Sequence, residues 1–273
     1  MLARHWCVDV ESAAETETSL FAFGKRGTVP VVIKVLRNRR DDEWRSGEIL
    51  AAFGGRGVVR VYDYIDGAVL LERLRPGSSL AELVLNGSDE CATEILAEVI
   101  ASMSPGDTRR NCATTHVWSK AFDWYTTTGD RRIARRLVDT AHDLYSMLSN
   151  TQSRARLLHG DLHHYNVVFD SDRGWLAIDP KGIVGEVEFE TGAALRNPFG
   201  RPELFTPRAI ENRLKQFGAA LGINEERALM WSFAQAVLSA IWLVEDRFPV
   251  GNTTPSLVLA NAILPMLGAQ GAG

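Results

Sequence analysis

Cysteine is scarce in this chain. The three present among 273 residues, Cys7, Cys91 and Cys112, have neither the spacing of a metal site nor the density of a disulfide scaffold, which points to a reducing, cytoplasmic compartment. Histidine is also sparse. The six are scattered except for His163-His164, and no convergent Cys or His completes a zinc set around that pair. An excess of positive charge is missing: the formal net charge of -4 argues against a nucleic-acid footprint and allows a cationic partner. No stretch reads as a membrane span, because the apolar run over 228–245 carries Gln235 and ends in Glu245-Asp246-Arg247. No secretory leader is visible, since Met1 is followed by Arg4 and His5 and then by a strand pattern. Apart from the Gly/Ala-rich tail over 268–273 there is no low-complexity segment or internal repeat. A hydrophobic share of 45% over this length describes a soluble globular protein able to bury a large core in two lobes.

Lysine is scarce too, with five among the 30 basic Lys and Arg residues, so each one inside an apolar segment carries information. Lys34 lies within Pro30-Val31-Val32-Ile33-Lys34-Val35-Leu36, a β-branched run that reads as a strand. The next segment, 42–53, has helical spacing of Trp44, Ile49 and Phe53 and a Gly54-Gly55 stop. Glu48 lies at its middle and is the expected partner of Lys34.

The most informative run is His159-Gly160-Asp161-Leu162-His163-His164-Tyr165-Asn166. It is followed by a hairpin pattern: Val167-Val168-Phe169, a turn cluster over 170–174, then Trp175-Leu176-Ala177-Ile178 leading to Asp179. An aspartate five positions before an asparagine, with a second aspartate delivered by a hairpin, is the order that phosphoryl transfer from ATP requires. Asp161 is the expected catalytic residue, accepting the proton of the attacking hydroxyl. Asn166 and Asp179, at the open ends of one hairpin, are the expected Mg²⁺ ligands. Lys34, held by Glu48, is expected to grip the α- and β-phosphates of ATP, and His159 to brace the loop.

Upstream, 6–10 and 19–23 read as strands joined by a connection over 11–18 that contains no glycine. Thr18 and Ser19, with Thr16, offer hydroxyl and backbone donors to phosphates there, and an ordinary polar hairpin is the alternative. Strand patterns over 58–64 and 68–74 complete a five-stranded antiparallel lobe with one helix, and backbone groups from Glu72 to Leu74 are placed to meet the adenine edge. The remainder reads as helix. Asp130 is expected to cap a segment in which Ile133, Leu137, Ala141, Leu144, Tyr145 and Leu148 share a face, and Ser88 another bearing Ile95, Leu96, Val99 and Ile100. The resulting expectation is an α+β, bilobal protein-kinase-like fold, with a nucleotide-binding lobe over 1–75 and a mainly helical catalytic and acceptor-binding lobe over 76–273.

The form His-Gly-Asp-Leu-His-x-x-Asn resembles the catalytic loop of the aminoglycoside phosphotransferase-like kinases. The segment Asp179-Pro180-Lys181-Gly182-Ile183-Val184-Gly185-Glu186 and the run Leu238-Ser239-Ala240-Ile241-Trp242-Leu243-Val244-Glu245-Asp246 are similar to the branch containing streptomycin 6-phosphotransferases and hydroxyurea kinases. The resemblance covers roughly residues 5–265. It implies ATP-dependent O-phosphorylation of a small polar acceptor, most simply an aminoglycoside of the streptomycin type. A kinase for hydroxyurea or an endogenous metabolite and a nucleotide-binding pseudokinase-like module are the alternatives. Glu188 and Glu190 make the segment after Gly185 more acidic than the branch leads one to expect. A cationic acceptor is drawn to carboxylates, which makes Glu186, Glu245 and Asp246 the expected acceptor contacts and Trp242 a stacking wall. Solvated helix ends and a core aromatic are the alternative readings of these four.

Overall fold

The structure is a computed structural model describing residues 1–38, 42–103 and 112–269. A one-turn helix α1 (Leu2–His5) precedes strands β1 (Asp9–Glu15), β2 (Ser19–Arg26) and β3 (Val29–Leu36). A 3₁₀ turn over Asp42–Arg45 leads into α2 (Ser46–Phe53), followed by β4 (Val61–Ile65) and β5 (Ala68–Glu72). These strands form one antiparallel sheet in the order β1-β2-β3-β5-β4. The period of two in β3 packs Val31 and Ile33 with Trp6, Val8, Ala68 and Leu70 on one face. The opposite face therefore carries Val32 and Lys34, with Phe21 and Phe23 of β2 and Leu71 of β5 beside them.

The first two strands differ from the sequence reading. β1 runs on to Glu15, so the expected long connection shrinks to a tight turn at Thr16–Thr18. β1 is a fully exposed edge strand and its residues show no apolar alternation by which it could be recognised. Val58 and Val59 also leave the expected strand: Val58 bridges Ala177, and the Val59 amide donates to the Ala177 carbonyl at 3.0 Å.

The rest of the chain is mainly helical. β6 (Pro76–Ser79) pairs with β9 (Val167–Asp170), which forms a hairpin with β10 (Gly174–Ala177). A second small sheet joins β7 (Ala113–Thr114), β8 (Arg156–Leu158) and β11 (Ile183–Gly185) in the order β7-β11-β8. Around them lie α3 (Ala81–Leu85), α4 (Asp89–Ser102), α5 (Thr115–Trp118), α6 (Lys120–Thr128), α7 (Arg135–Asn150), α8 (Thr191–Leu195), α9 (Pro207–Leu221), α10 (Glu225–Glu245) and α11 (Pro255–Ala269). Ser88 takes the N-cap position of α4, with Asp89 and Glu90 in the first turn, but its side chain makes no capping hydrogen bond. Asp130 does not cap α7, whose N-cap is Ala134. Its carboxylate instead accepts the Arg132 amide at 2.8 Å and the Tyr125 hydroxyl at 3.1 Å, closing the preceding loop. α10 is long and apolar enough to cross a bilayer by length and composition, but most of it is buried against α7, α8 and α11.

Candidate active site

The run from His159 to Asn166 lies between β8 and β9. Because β11 pairs with β8 (Ile183 opposite Leu158), the residues entering β11 lie beside those leaving β8. The amides of Lys181 and Gly182 both donate to the His159 carbonyl, at 3.0 and 2.9 Å. Gly160 adopts φ +82, a conformation that favours glycine. A Cβ there would come within 3.1 Å of Ile183 and 3.4 Å of the Trp118 ring.

His159 is fully buried. Its Nε2 lies 2.7 Å from the Ile178 carbonyl and its Nδ1 accepts the Asp161 amide at 3.3 Å, so the ring is a neutral brace with its proton on Nε2. Burial lowers its pKa to about 4, in keeping with that role. Asn166 donates from Nδ2 to the Asp161 carbonyl at 3.0 Å, and its own carbonyl accepts the Ile178 amide at 2.9 Å. The hairpin register, Ala177 opposite Val167, thus brings Asn166 and Asp179 to one end of β9 and β10, as the spacing predicts. Asp179 is held at φ +57, a cost that surrounding structure must offset and one that recurs at functional sites.

Asp179 Oδ1 lies 2.7 Å from Lys34 Nζ, and Glu43 makes the second ion pair with the same ammonium. Burial opposes the lysine charge, but the carboxylates of Asp179 and Glu43 outweigh it and raise the pKa above its ordinary value. The expected partner Glu48 is not there. It pairs with Arg45 on the preceding turn, at 2.6 and 2.9 Å, because the segment 42–53 is not one helix: its 3₁₀ start turns Glu43 toward the sheet and Glu48 toward Arg45.

A cleft of about 330 Å³ opens between the sheet and the hairpin. Phe21, Phe23, Val32, Val59, Leu71, Leu74, Val168 and Ile178 give it apolar walls, and Lys34, Asp179, Glu72 and Arg73 are the charged residues that line it. Glu72 and Leu74 line it as expected, although the Glu72 side chain turns away to the Arg60 amide (2.7 Å) and Arg173. Thr18 and Ser19 do not line it. Their turn closes on itself: Thr16 Oγ1 accepts the Ser19 amide at 3.1 Å, the Thr16 amide donates to the Ser19 carbonyl at 2.8 Å, and the Thr18 carbonyl accepts the Arg37 amide at 2.9 Å.

Asp161 is bracketed by cations that the sequence did not single out. Arg196 donates to Oδ1 at 3.3 Å and Lys181 Nζ stands 3.6 Å from Oδ2. Burial alone would raise its pKa, yet Lys181, His163 and Arg196 pull it well below the usual carboxylate range. His164, by contrast, turns to Arg213 (3.1 Å), so the adjacent histidines diverge.

Behind the loop sits Glu190, 1% exposed, accepting the amides of His159 (2.6 Å) and Gly160 (3.1 Å). Burial raises its pKa to about 7, from an ordinary 4.5. The folded state therefore binds more protons than the unfolded one between these values, and the stability this group contributes at low pH is lost as pH rises from 4.5 to 7. Glu190→Gln keeps an acceptor and removes the titration. Its melting temperature relative to the parent should climb steadily over that interval in a thermal-denaturation series, and a constant offset between the two curves would refute the assignment.

The expected acceptor contacts separate. Glu186 is 3% exposed and locked to Arg227 and, at 2.5 Å, to Trp231 Nε1, so it is a buried structural carboxylate and not an acceptor contact. Asp246 is exposed past the end of α10 and outside the nearest pocket wall. Trp242 and Glu245 do share a pocket, of about 300 Å³, with Trp118, Trp124, Lys120 and Val117. Trp118 and Trp242 meet edge to face at 5.2 Å, and Lys181 Nζ lies 5.0 Å over the Trp242 ring. The pocket thus adjoins the 159–166 loop through Trp118 at Gly160 and through Lys181 at Asp161. Trp118 and Trp124 carried no signal in sequence, because α5 and α6 are short and their contact with α10 is long-range.

The oxygens around the hairpin suit a hard divalent cation. With Nδ2 of Asn166 committed to the Asp161 carbonyl, its Oδ1 and the Asp179 carboxylate are the oxygens at this end of the hairpin that would hold such an ion.

Solved structures share this architecture. An aminoglycoside phosphotransferase in complex with AMP-PNP and hygromycin B superposes with a TM-score of 0.67 at 15% identity, covering 100% of this chain and 98% of its own. The choline kinase of Streptococcus pneumoniae gives 0.64 at 15% identity, covering 98% of each. The fold is the α+β protein-kinase-like one. In sequence, the chain is 32% identical over 232 residues to a streptomycin 3''-kinase of Klebsiella pneumoniae, covering 81% of this chain and 83% of the relative. It is also 32% identical over 216 residues to a hydroxyurea phosphotransferase of Kitasatospora aureofaciens, covering 75% of this chain and 60% of the relative. The model of one kinase family matches residues 5–247, a span that includes Lys34, the catalytic run, Asp179 and the whole aromatic pocket. The chain is a phosphotransferase belonging to the aminoglycoside/hydroxyurea antibiotic resistance kinases.

Proposed function

We propose that this kinase transfers the γ-phosphoryl group of ATP to a hydroxyl of a small cationic acceptor of the streptomycin type, in the cytoplasm where ATP and Mg²⁺ are supplied. The observation that carries the reading is the pocket lined by Trp118, Trp124 and Trp242 with the carboxylate of Glu245 and the ammonium of Lys120, linked to Asp161 through Lys181. Aromatic faces and a carboxylate attract a guanidinium or ammonium by cation–π and charge-assisted contacts.

Placement supports the following residue roles. The apolar cleft receives the nucleotide base, with backbone at Glu72–Leu74 along its edge. Lys34, oriented by Glu43, grips the α- and β-phosphates. Asn166 and Asp179 would hold Mg²⁺, which supplies charge neutralisation at the phosphates. Asp161 orients the acceptor hydroxyl and takes its proton late, because a loose transition state needs little activation of the nucleophile. Arg196 and His159 keep that carboxylate charged and aimed, so that positioning contributes most of the rate.

Glu245→Gln tests the acceptor half. Glu245 is exposed, so its contact with a cation is worth about 1.5 kcal/mol, the low end for a hydrogen bond to a charged group. That predicts about a tenfold rise in KM for streptomycin, with the ATP KM unchanged. Asp246→Asn should behave as the parent. The hydroxyurea phosphotransferase relative favours a second reading, a small neutral acceptor. If hydroxyurea is phosphorylated and streptomycin is not, that reading replaces the first, and Glu245→Gln should then have little effect.

A further inference from the structure

Two large aromatic side chains stand in solvent beside the loop that carries Asp161. Tyr165, four residues past that aspartate, is 40% exposed, and Phe199, in the connection that follows α8, is 54% exposed. A single exposed aromatic is ordinary. These two lie against each other instead, with ring centroids 6.5 Å apart and planes 26° from parallel, and His163 meets Tyr165 edge to face at 5.9 Å. His163 Nε2 in turn lies 4.0 Å from Asp161 Oδ2, so the row of rings starts at the carboxylate proposed to orient the acceptor hydroxyl.

Both rings are held on fixed supports. Arg213 is buried, its charge met by Asp89 at 3.0 Å, and its Nη2 reaches both His164 Nε2 and the Asn197 carbonyl, each at 3.1 Å. One guanidinium thus ties the residue before Tyr165 to the residue two before Phe199. The His164 carbonyl also accepts the Ser79 hydroxyl at 3.1 Å, Asn197 donates from Nδ2 to the Ala193 carbonyl at 3.0 Å, and Arg201 fastens the far side of the Phe199 loop to the Val84 carbonyl. Apolar faces that buried polar anchors hold out to water mark a ligand surface, and a preset surface binds without first having to be ordered.

Position identifies the ligand. Neither ring lines the nucleotide cleft or the pocket of Trp118, Trp124 and Trp242, which reaches Asp161 by way of Lys181. We propose that Tyr165 and Phe199 form a second acceptor subsite, which takes the face of a saccharide ring while the reacting hydroxyl lies at Asp161. A sugar or cyclitol ring carries C–H bonds on its faces and hydroxyls at its rim, so stacking removes apolar area from water and leaves the hydroxyls solvated. An acceptor of several rings can use this shelf together with the tryptophan pocket. Hydroxyurea, which has no ring, gains nothing from it. The subsite rests on the streptomycin-type acceptor proposed above and adds to it where a second ring is held.

Steady-state KM values for streptomycin and for ATP are measured for the parent, Tyr165→Ala, Phe199→Ala and the ring-keeping Tyr165→Phe and Phe199→Tyr. Because both rings are exposed, alanine leaves the buried anchors in place. Each alanine variant should raise the streptomycin KM by about three- to tenfold, the fold-change of one lost ring contact, with the ATP KM at the parent's value. The ring-keeping variants should recover most of that loss, since the ring face makes the contact. A streptomycin KM unmoved in either alanine variant overturns the subsite and leaves the acceptor reading standing. An ATP KM that rises in step makes the rings a support of the nucleotide cleft, and ring-keeping variants no better than alanine make them a support of the loop; either result also overturns the subsite. A parent that does not phosphorylate streptomycin removes the acceptor reading and the subsite with it, an outcome read on the parent alone.

Discussion

Asp161→Asn should lower turnover by at least about 10²-fold, within the range for removal of a general base, while ATP affinity stays close to that of the parent. The amide keeps the shape of the loop and can still meet a hydroxyl, but it neither takes the proton nor balances charge. Arg196 and Lys181 both lose their carboxylate. The loss should therefore appear in kcat and kcat/KM together, the mark of an interaction made in the transition state. Removing one partner of a buried ion pair also costs stability, so the variant should melt below the parent and must be assayed well under that temperature. Steady-state kinetics on a confirmed acceptor, with nucleotide binding measured separately, decides the matter. Near-normal turnover would remove Asp161 from the reaction.

Asp179→Ala should have an effect as large, seen first in binding. Its carboxylate is both the ion pair of Lys34 and the one anionic oxygen ligand proposed for Mg²⁺ at the hairpin. In the parent, Mg²⁺ should tighten ATP. In Asp179→Ala that difference should vanish, leaving an affinity insensitive to the metal, and turnover should fall by about 10²-fold or more because charge at the transferring phosphates is no longer neutralised. Asn166→Ala should weaken the Mg²⁺ dependence without abolishing it, since an amide oxygen carries no net charge. Titrations of ATP with and without Mg²⁺ separate these outcomes. If Asp179→Ala keeps the full metal effect, the ion is held elsewhere.

The hairpin carrying Asn166 and Asp179 was legible because every signal for it is local: two apolar β-rich runs, a turn cluster ending in Gly174, and polar residues at fixed offsets. Lys34 was legible for the same reason, a lone cation in an alternating strand. Glu48 was misread as its partner because helical spacing was extended back through 42–45, where the chain forms a 3₁₀ turn and presents Glu43 instead. Glu186 was misread because nothing nearby in sequence reveals Arg227 and Trp231, which lie more than 40 residues on along the chain and bury it. Thr18 and Ser19 were placed at the phosphates on the assumption of a long connection, which the continuation of β1 to Glu15 removes.

By itself, then, the sequence determined the strand that carries Lys34, the loop that carries Asp161 and the hairpin whose ends carry Asn166 and Asp179, since each is set by contacts within a few residues. Only the tertiary structure decided what surrounds them. Arg196 and Lys181 reach Asp161, and Glu190 reaches the amides of His159 and Gly160, across separations of 20 to 35 residues. Trp118 and Trp124 likewise meet Trp242 and Glu245 through the packing of α5 and α6 on α10. Such groups converge because burying apolar surface brings distant segments together, and that drive is non-directional. It leaves no periodicity or spacing in the chain from which the partner of a given charge or ring could be read.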